Sequence, residues 1–258
     1  MADPVLVQPT RRDLQRVFGG RGEFYSWLEL LTTDMTFQKW DFQDGEIPLV
    51  FNSRVTDSGT VANRRADQAN GVVRLASSTT DDSSSSLSHD GMTYRGDLNA
   101  FIAVRLQLDA ITTVKCEVGF SDAIDDTGAV NVLATPSWTA TNAAVWAFDT
   151  DDAVTTTWQI LGVAAGTAAT KNTAATFGTR PTPVAATYET LMIELRDGVA
   201  KFRAASAAGD ITYESDWMAS AITLTTNLTP WVFVQSRAGS AARNCDIDYV
   251  AVWQRRVA

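Results

Sequence analysis

The end of the chain constrains its fold most. Thr229-Pro230-Trp231-Val232-Phe233-Val234-Gln235 alternates bulky with small or polar side chains, and so does Cys245-Asp246-Ile247-Asp248-Tyr249-Val250-Ala251-Val252-Trp253 after a Gly/Ser/Ala turn. A period of two is the signature of a β-strand with one buried face, because successive side chains point to opposite sides of the pleat. An apolar final strand needs a sheet to receive it. By parity, Cys245, Ile247, Tyr249 and Trp253 are expected on the buried face, with Asp246 and Asp248 facing out.

The same pattern runs back through the chain. Residues 71–75, 98–108, 113–120, 143–148, 155–163 and 211–214 read as strands. Between Met192 and Arg203 two β runs flank Asp197-Gly198, a pair favoured in type I′ hairpins because both central residues need positive φ. The run Asp81-Asp82-Ser83-Ser84-Ser85-Ser86 reads as a solvated loop, and residues 164–179, poor in large side chains, as a long loop or weak edge hairpin. No long helical pattern follows residue 40, and no repeat of solenoid period stands out. The expectation is an all-β, antiparallel jelly-roll sandwich over residues 41–258.

Residues 1–40 differ. Thr10 and Asp13 form a weak capping box, Leu14, Val17 and Phe18 share one helical face, and Gly19-Gly20 ends the helix. Two turns of helix are not stable alone in water, and Phe24 and Trp27 add aromatic surface. This extended, short-helical arm must dock on its own domain, on another copy or on another protein. Leu14, Val17, Phe18, Phe24 and Trp27, with the basic Arg11 and Arg12, are the candidate tether residues.

Composition narrows the function. A net charge of −9 argues against a nucleic-acid surface built from dispersed basic residues. No apolar run approaches the roughly 18 residues that span a bilayer, and Met1-Ala2-Asp3-Pro4 does not open a secretory signal. Neither a membrane nor a nucleic-acid partner is therefore expected. The two cysteines, Cys116 and Cys245, both fall on inward strand parity and read as buried thiols, with a single bond between them as the alternative.

Few residues suggest chemistry. His89 is the only histidine, so no triad or His-based metal site can be assembled from a cluster; between Ser88 and Asp90 it reads as part of a polar loop. Arg95-Gly96-Asp97 reads as a turn before a strong strand. Asp149, Asp151 and Asp152, and likewise Asp122, Asp125 and Asp126, are loop carboxylates of the kind Ca²⁺ prefers, although they lack EF-hand spacing. Calcium is the one cofactor weighed. Of Trp138, Trp146, Trp158, Trp217 and Trp231, most are expected in the core, and any left exposed could stack on sugars.

Phe101-Ile102-Ala103-Val104-Arg105-Leu106, Val118-Gly119-Phe120-Ser121-Asp122-Ala123, Thr190-Leu191-Met192-Ile193-Glu194-Leu195 with its Asp-Gly turn, Leu228-Thr229-Pro230-Trp231 and the terminal strand follow one another in a familiar order. Together, over residues 70–256, they resemble the concanavalin A-like (lectin/glucanase, laminin-G-like) jelly roll as found in structural proteins of tailed bacteriophages. The resemblance implies a surface module. Glucanases of this fold use two glutamates around an aspartate on one strand, and Asp246-Ile247-Asp248 lacks the glutamates, so no enzymatic activity is expected. The function implied is a virion protein decorating the capsid, held by the arm to the major capsid protein or another virion protein. A homo-oligomer is expected, with a trimer favoured. The alternative is a tail-fibre or receptor-binding module for cell-surface glycan.

Overall fold

The computed structural model describes residues 35–42, 47–62, 71–133, 136–151, 156–168, 177–237 and 241–256. Its strands are, in the first half, β1 (Met35–Trp40), β2 (Phe51–Val55), β3 (Thr60–Ala62), β4 (Val73–Ala76), β5 (Ser84–His89), β6 (Phe101–Leu108), β7 (Val114–Ser121), β8 (Val130–Val132) and β9 (Ser137–Trp138). Then come β10 (Ala143–Asp149), β11 (Gln159–Ala164), β12 (Thr167–Ala168), β13 (Glu189–Arg196), β14 (Val199–Ala205), β15 (Ile211–Glu214), β16 (Thr229–Ser236) and β17 (Asn244–Arg255). One sheet is ordered β15-β14-β13-β6-β17-β4-β3, with β1 also on β17; the other is ordered β12-β11-β10-β7-β16-β5-β2. All strand pairs are antiparallel, and the two sheets stack face to face. This is the expected jelly-roll sandwich.

Alternation places the core. On β7, Val114, Cys116, Val118 and Phe120 point between the sheets, as do Ala144, Trp146 and Phe148 on β10 and Ile102, Val104 and Leu106 on β6. Trp146 is fully buried, meets Phe202 and Tyr213 edge-on at 5.6 Å, and donates its indole N–H to the Met192 carbonyl at 3.1 Å. Burying a side chain of this size without leaving its donor unpaired contributes about 3 kcal/mol. Cys116 and Cys245 are free thiols, both buried in the core between the sheets. Asp197 and Gly198 have φ of 47° and 79°, as the I′ hairpin requires.

Four expectations need correction. The parity of the last strand breaks at Asp248: Ile247 opposes Leu106 and Tyr249 opposes Arg105, so a β-bulge sets two residues against one. Val250 and Val252 therefore enter the core, while Tyr249, Ala251 and Trp253 turn to the outer face, where Trp253 stacks on Phe101 at 5.4 Å. Asp246 does point outward, yet it is only 3% exposed, because Arg74 binds both its oxygens at 2.6 and 2.9 Å.

The serine run is no solvated loop. Ser84 to Ser88 lie in β5, buried between β2 and β16. Small hydroxyls tolerate burial when they find acceptors, and here Ser83 and Ser85 donate to the Thr56 and Thr60 carbonyls at 3.0 Å. His89 ends that strand in the interior, among the rings of Trp40, Phe51 and Tyr94. Residues 35–40, grouped with the arm by sequence, form β1, with Phe37 opposite Trp253. Arg95-Gly96-Asp97 is a turn as expected, with Arg95 and Asp97 paired to each other.

Candidate functional site

The site lies on the outer face of the β12-to-β2 sheet. The residues of β7 and β16 that alternate away from the core, Lys115, Glu117, Trp231, Phe233 and Gln235, would line that face. The segment between β7 and β10, which carries β8 and β9, covers it. Ala129, Val130, Leu133 and Ala140 of this segment pack on Val145, Leu161, Trp231 and Phe233 in a second apolar cluster.

A buried ion pair pins the covering segment. Glu117 accepts from the Ala129 amide at 2.7 Å, the Val130 amide at 3.2 Å and the Trp231 indole at 3.0 Å. Lys115 lies 3.2 Å from Glu117 and donates to the Thr127 carbonyl at 2.5 Å and to the Val130 carbonyl. Both side chains are fully buried. Burial pulls the Lys115 pKa below its usual value, and Glu117 opposes that pull. Gly128 makes the close approach possible: a Cβ there would sit 2.4 Å from Glu117 Oε1, at a φ of +87°.

Beside this pinned segment a polar cleft of about 390 Å³ stays open. Thr56 and Asp57 come from the β2–β3 turn and Asp82 from the β4–β5 turn; Asp126, Thr127 and Asn131 come from the covering segment, and Gln235 and Arg237 from the end of β16. Arg237 holds Asp149 through two hydrogen bonds, at 3.0 and 2.5 Å, and Asp82 through a third at 2.9 Å. Burial alone would lower the Arg237 pKa, but the Asp149 and Asp82 contacts hold it above the usual value. Arg54 of β2 clasps Asp126 and the Ile124 carbonyl, tying the covering segment to the sheet edge. Gln235 is 2% exposed; its amide N–H donates to the Asp82 carbonyl at 3.0 Å, while its Oε1 has no partner. An unpaired buried acceptor costs roughly 1–3 kcal/mol.

The sequence candidates distribute unevenly. Asp149 is engaged by Arg237 and by the Asp151 amide, and Asp151 lies 3.8 Å from Arg237. Asp122 accepts from Thr141 and Asn142, and Asp125 caps Thr127. Among the described residues no three His, Cys, Asp or Glu side chains converge as a metal set. Asp152 and the tether candidates Arg11, Arg12, Leu14, Val17, Phe18, Phe24 and Trp27 lie outside the described residues. Trp146, Trp158 and Trp231 are core, and the exposed Trp217 sits on the other sheet with Arg196 and Lys201 over its ring at 6.0 and 5.8 Å. Sequence reading missed Lys115, Glu117, Gln235 and Arg237. The one available signal was the polar residue on outward parity in otherwise apolar strands.

No protein-family model matches the chain. No curated protein matches it either. Solved structures do resemble it in fold. Peanut lectin is 12% identical over 87% of this chain and 100% of its own, with a TM-score of 0.57. A β-glucanase of Bacillus licheniformis is 12% identical over 88% of this chain and 100% of its own, with a TM-score of 0.52. The CBM2 module of the evolved Dit of Lactobacillus casei BL23 phage J-1 is 9% identical over 87% of this chain and 98% of its own, with a TM-score of 0.51. The fold is thus the concanavalin A-like, lectin-like jelly roll. The expectation of no enzymatic activity is overturned: lectin and glucanase share this scaffold, which therefore does not decide between binding and hydrolysis. Among the described residues no helix is long and apolar enough to cross a membrane.

Proposed function

We propose that this chain is a carbohydrate-binding module whose ligand sits in the cleft between the covering segment and the β2–β3 and β4–β5 turns. The observation that carries this is the open cleft whose lining mixes the carboxylates of Asp57, Asp82 and Asp126 with the hydroxyls of Thr56 and Thr127 and the amide of Asn131. Sugar hydroxyls bring several donors at once, and carboxylate and amide groups are suited to receive them. The cleft's volume falls in the range of small-molecule sites. The likeness to peanut lectin supports the reading.

We further propose that the module is carried on a tailed-phage particle, in line with the phage Dit module of similar fold. The candidate tether residues of the arm would join it to a capsid or other virion protein, either as a head decoration or as a receptor-binding module, in a homo-oligomer, with a trimer the expected state. A glycan array with the full chain tests the first proposal. Binding lost in Asp57→Ala at unchanged melting temperature is expected; an array without a hit at millimolar ligand would overturn it. Immunogold labelling of particles tests the second, and deleting residues 1–34 should release a folded sandwich from them.

A further inference from the structure

We infer that residues 23–31 of the arm seal the outer face of the chain's own β14-β13-β6-β17 sheet. Side chains on that face line up across the strands in two rows: Trp253, Phe101, Glu194 and Lys201, and beside them Ala251, Ala103, Met192 and Arg203. Phe101, Met192 and Trp253 are each 1% exposed, and the Glu194–Arg203 ion pair, at 3.2 Å, is buried with them. A sheet face left to water carries polar residues and keeps one side of each ring wet. A buried ion pair likewise requires that water be kept from it. Yet every described strand belongs to one of the two sheets or to the β8–β9 hairpin, which packs on the opposite sheet. Trp217 lies by Arg196 and Lys201 at one margin of the face, and Tyr188 by Arg105 at another.

The cover comes from the same chain, since these groups are buried within a single chain. Of the segments outside the described residues, 1–34 alone carries aromatic side chains; residues 63–70, for example, hold only Asn, Arg, Ala, Asp and Gln. The arm also arrives at the right place. It joins β1 at Met35, opposite Arg255, and Phe37 two residues on opposes Trp253 and packs with the apolar cluster of the face. From β1 to β14 is four strand spacings, about 19 Å, and a stretch as long as Glu23 to Leu31 reaches roughly 30 Å when extended. That stretch brings Phe24, Tyr25, Trp27, Leu28, Leu30 and Leu31. The inference stands apart from the carbohydrate reading and narrows the tether. With Phe24 and Trp27 held on the chain's own sheet, Arg11, Arg12, Leu14, Val17 and Phe18 are left to meet a virion partner.

The test is the rate at which hydrogen peroxide oxidises three methionines of the full chain, read by peptide mass mapping. Met92 is exposed, Met218 lies in the core between the sheets, and Met192 stands on the outer face. In the unaltered chain Met192 should react as slowly as Met218. In the triple variant Phe24→Asp/Trp27→Asp/Leu28→Asp its oxidation should quicken at least tenfold while Met218 stays slow. Leu14→Asp/Val17→Asp/Phe18→Asp should leave both slow. A Met192 that keeps its protection in the first variant, loses it in the second, or reacts like Met92 in the unaltered chain overturns the inference. Should the first variant fail to fold, photo-cross-linking decides, with p-benzoylphenylalanine in place of Trp27 in the otherwise unaltered full chain. Adducts within one chain on residues 101–105, 189–196, 199–205 or 249–253 are expected. Adducts mainly to a second copy, adducts elsewhere on the chain, or none at all overturn it.

Discussion

His89 and Glu189 should push stability in opposite directions as the pH falls into mild acid, and removing either one should expose the other. His89 is 3% exposed, its ring held edge-on by Trp40 at 4.7 Å and Phe51 at 4.9 Å, with Nε2 unpaired. Burial lowers its pKa to about 4 from 6.5. As pH falls from 6.5 the unfolded chain takes up a proton that the native state refuses, so the stability this neutral ring contributes is complete above 6.5 and is lost on the way down to 4. A shift of this size corresponds to about 3 kcal/mol. Glu189 runs the other way. Burial raises it to about 7 from 4.5, against a hydrogen bond from the Trp158 indole at 2.9 Å. Its native carboxyl keeps a proton that the unfolded chain releases between pH 4.5 and 7, so acid strengthens the fold, and that gain is lost as pH rises through 7. Its shift also corresponds to at most about 3 kcal/mol, reduced because the side chain is only partly buried. The assay is urea unfolding at pH 7 and 4.5 of the parent, His89→Phe and Glu189→Gln. Between these pH values His89→Phe should gain about 2–3 kcal/mol on the parent, and Glu189→Gln should lose a similar amount. If both variants track the parent within about 0.5 kcal/mol, these groups are not perturbed as the structure requires.

The covering segment offers two further tests. Lys115→Met strands Glu117 as a buried, unbalanced charge and should cost about 3–5 kcal/mol, read by denaturant unfolding; a loss below about 1 kcal/mol would mean water reaches the pair. Gly128→Ala forces a Cβ into Glu117 at a positive φ, costing about 1–3 kcal/mol, and should accelerate hydrogen exchange at the Ala129 and Val130 amides ahead of the sheet. The thiols give a third. Burial, with Cys245 next in effect, raises the Cys116 pKa well above its usual value, so neither cysteine should react with Ellman's reagent in the native protein, while two thiols per chain should appear in denaturant; prompt native labelling would contradict their placement.

The strands that sequence showed clearly are those with one apolar face and a sharp turn. Asp197-Gly198 fixes a local geometry no other fold context could alter much, and 211–214 is bounded by turn residues. β5 was invisible because serines carry no hydrophobic signal; its burial is decided by partners twenty to thirty residues away, Thr56 and Thr60. The bulge at Asp248 was equally hidden, since parity assumes an unbroken ladder and the interruption arises in pairing with β6. The cleft was legible only as scattered acids. Asp57, Asp82 and Asp126 are far apart in sequence and meet because β2, β5 and β16 lie side by side beneath the covering segment.

By itself, then, the sequence determined the all-β class, the hairpin register and most of the inter-sheet face, because period-two alternation and turn chemistry are local properties. The tertiary structure alone decided which polar groups are satisfied. Lys115 and Glu117 on one strand became a buried clamp, and Gln235 kept an acceptor without a donor, because hydrogen-bond satisfaction depends on what a distant segment brings against the sheet.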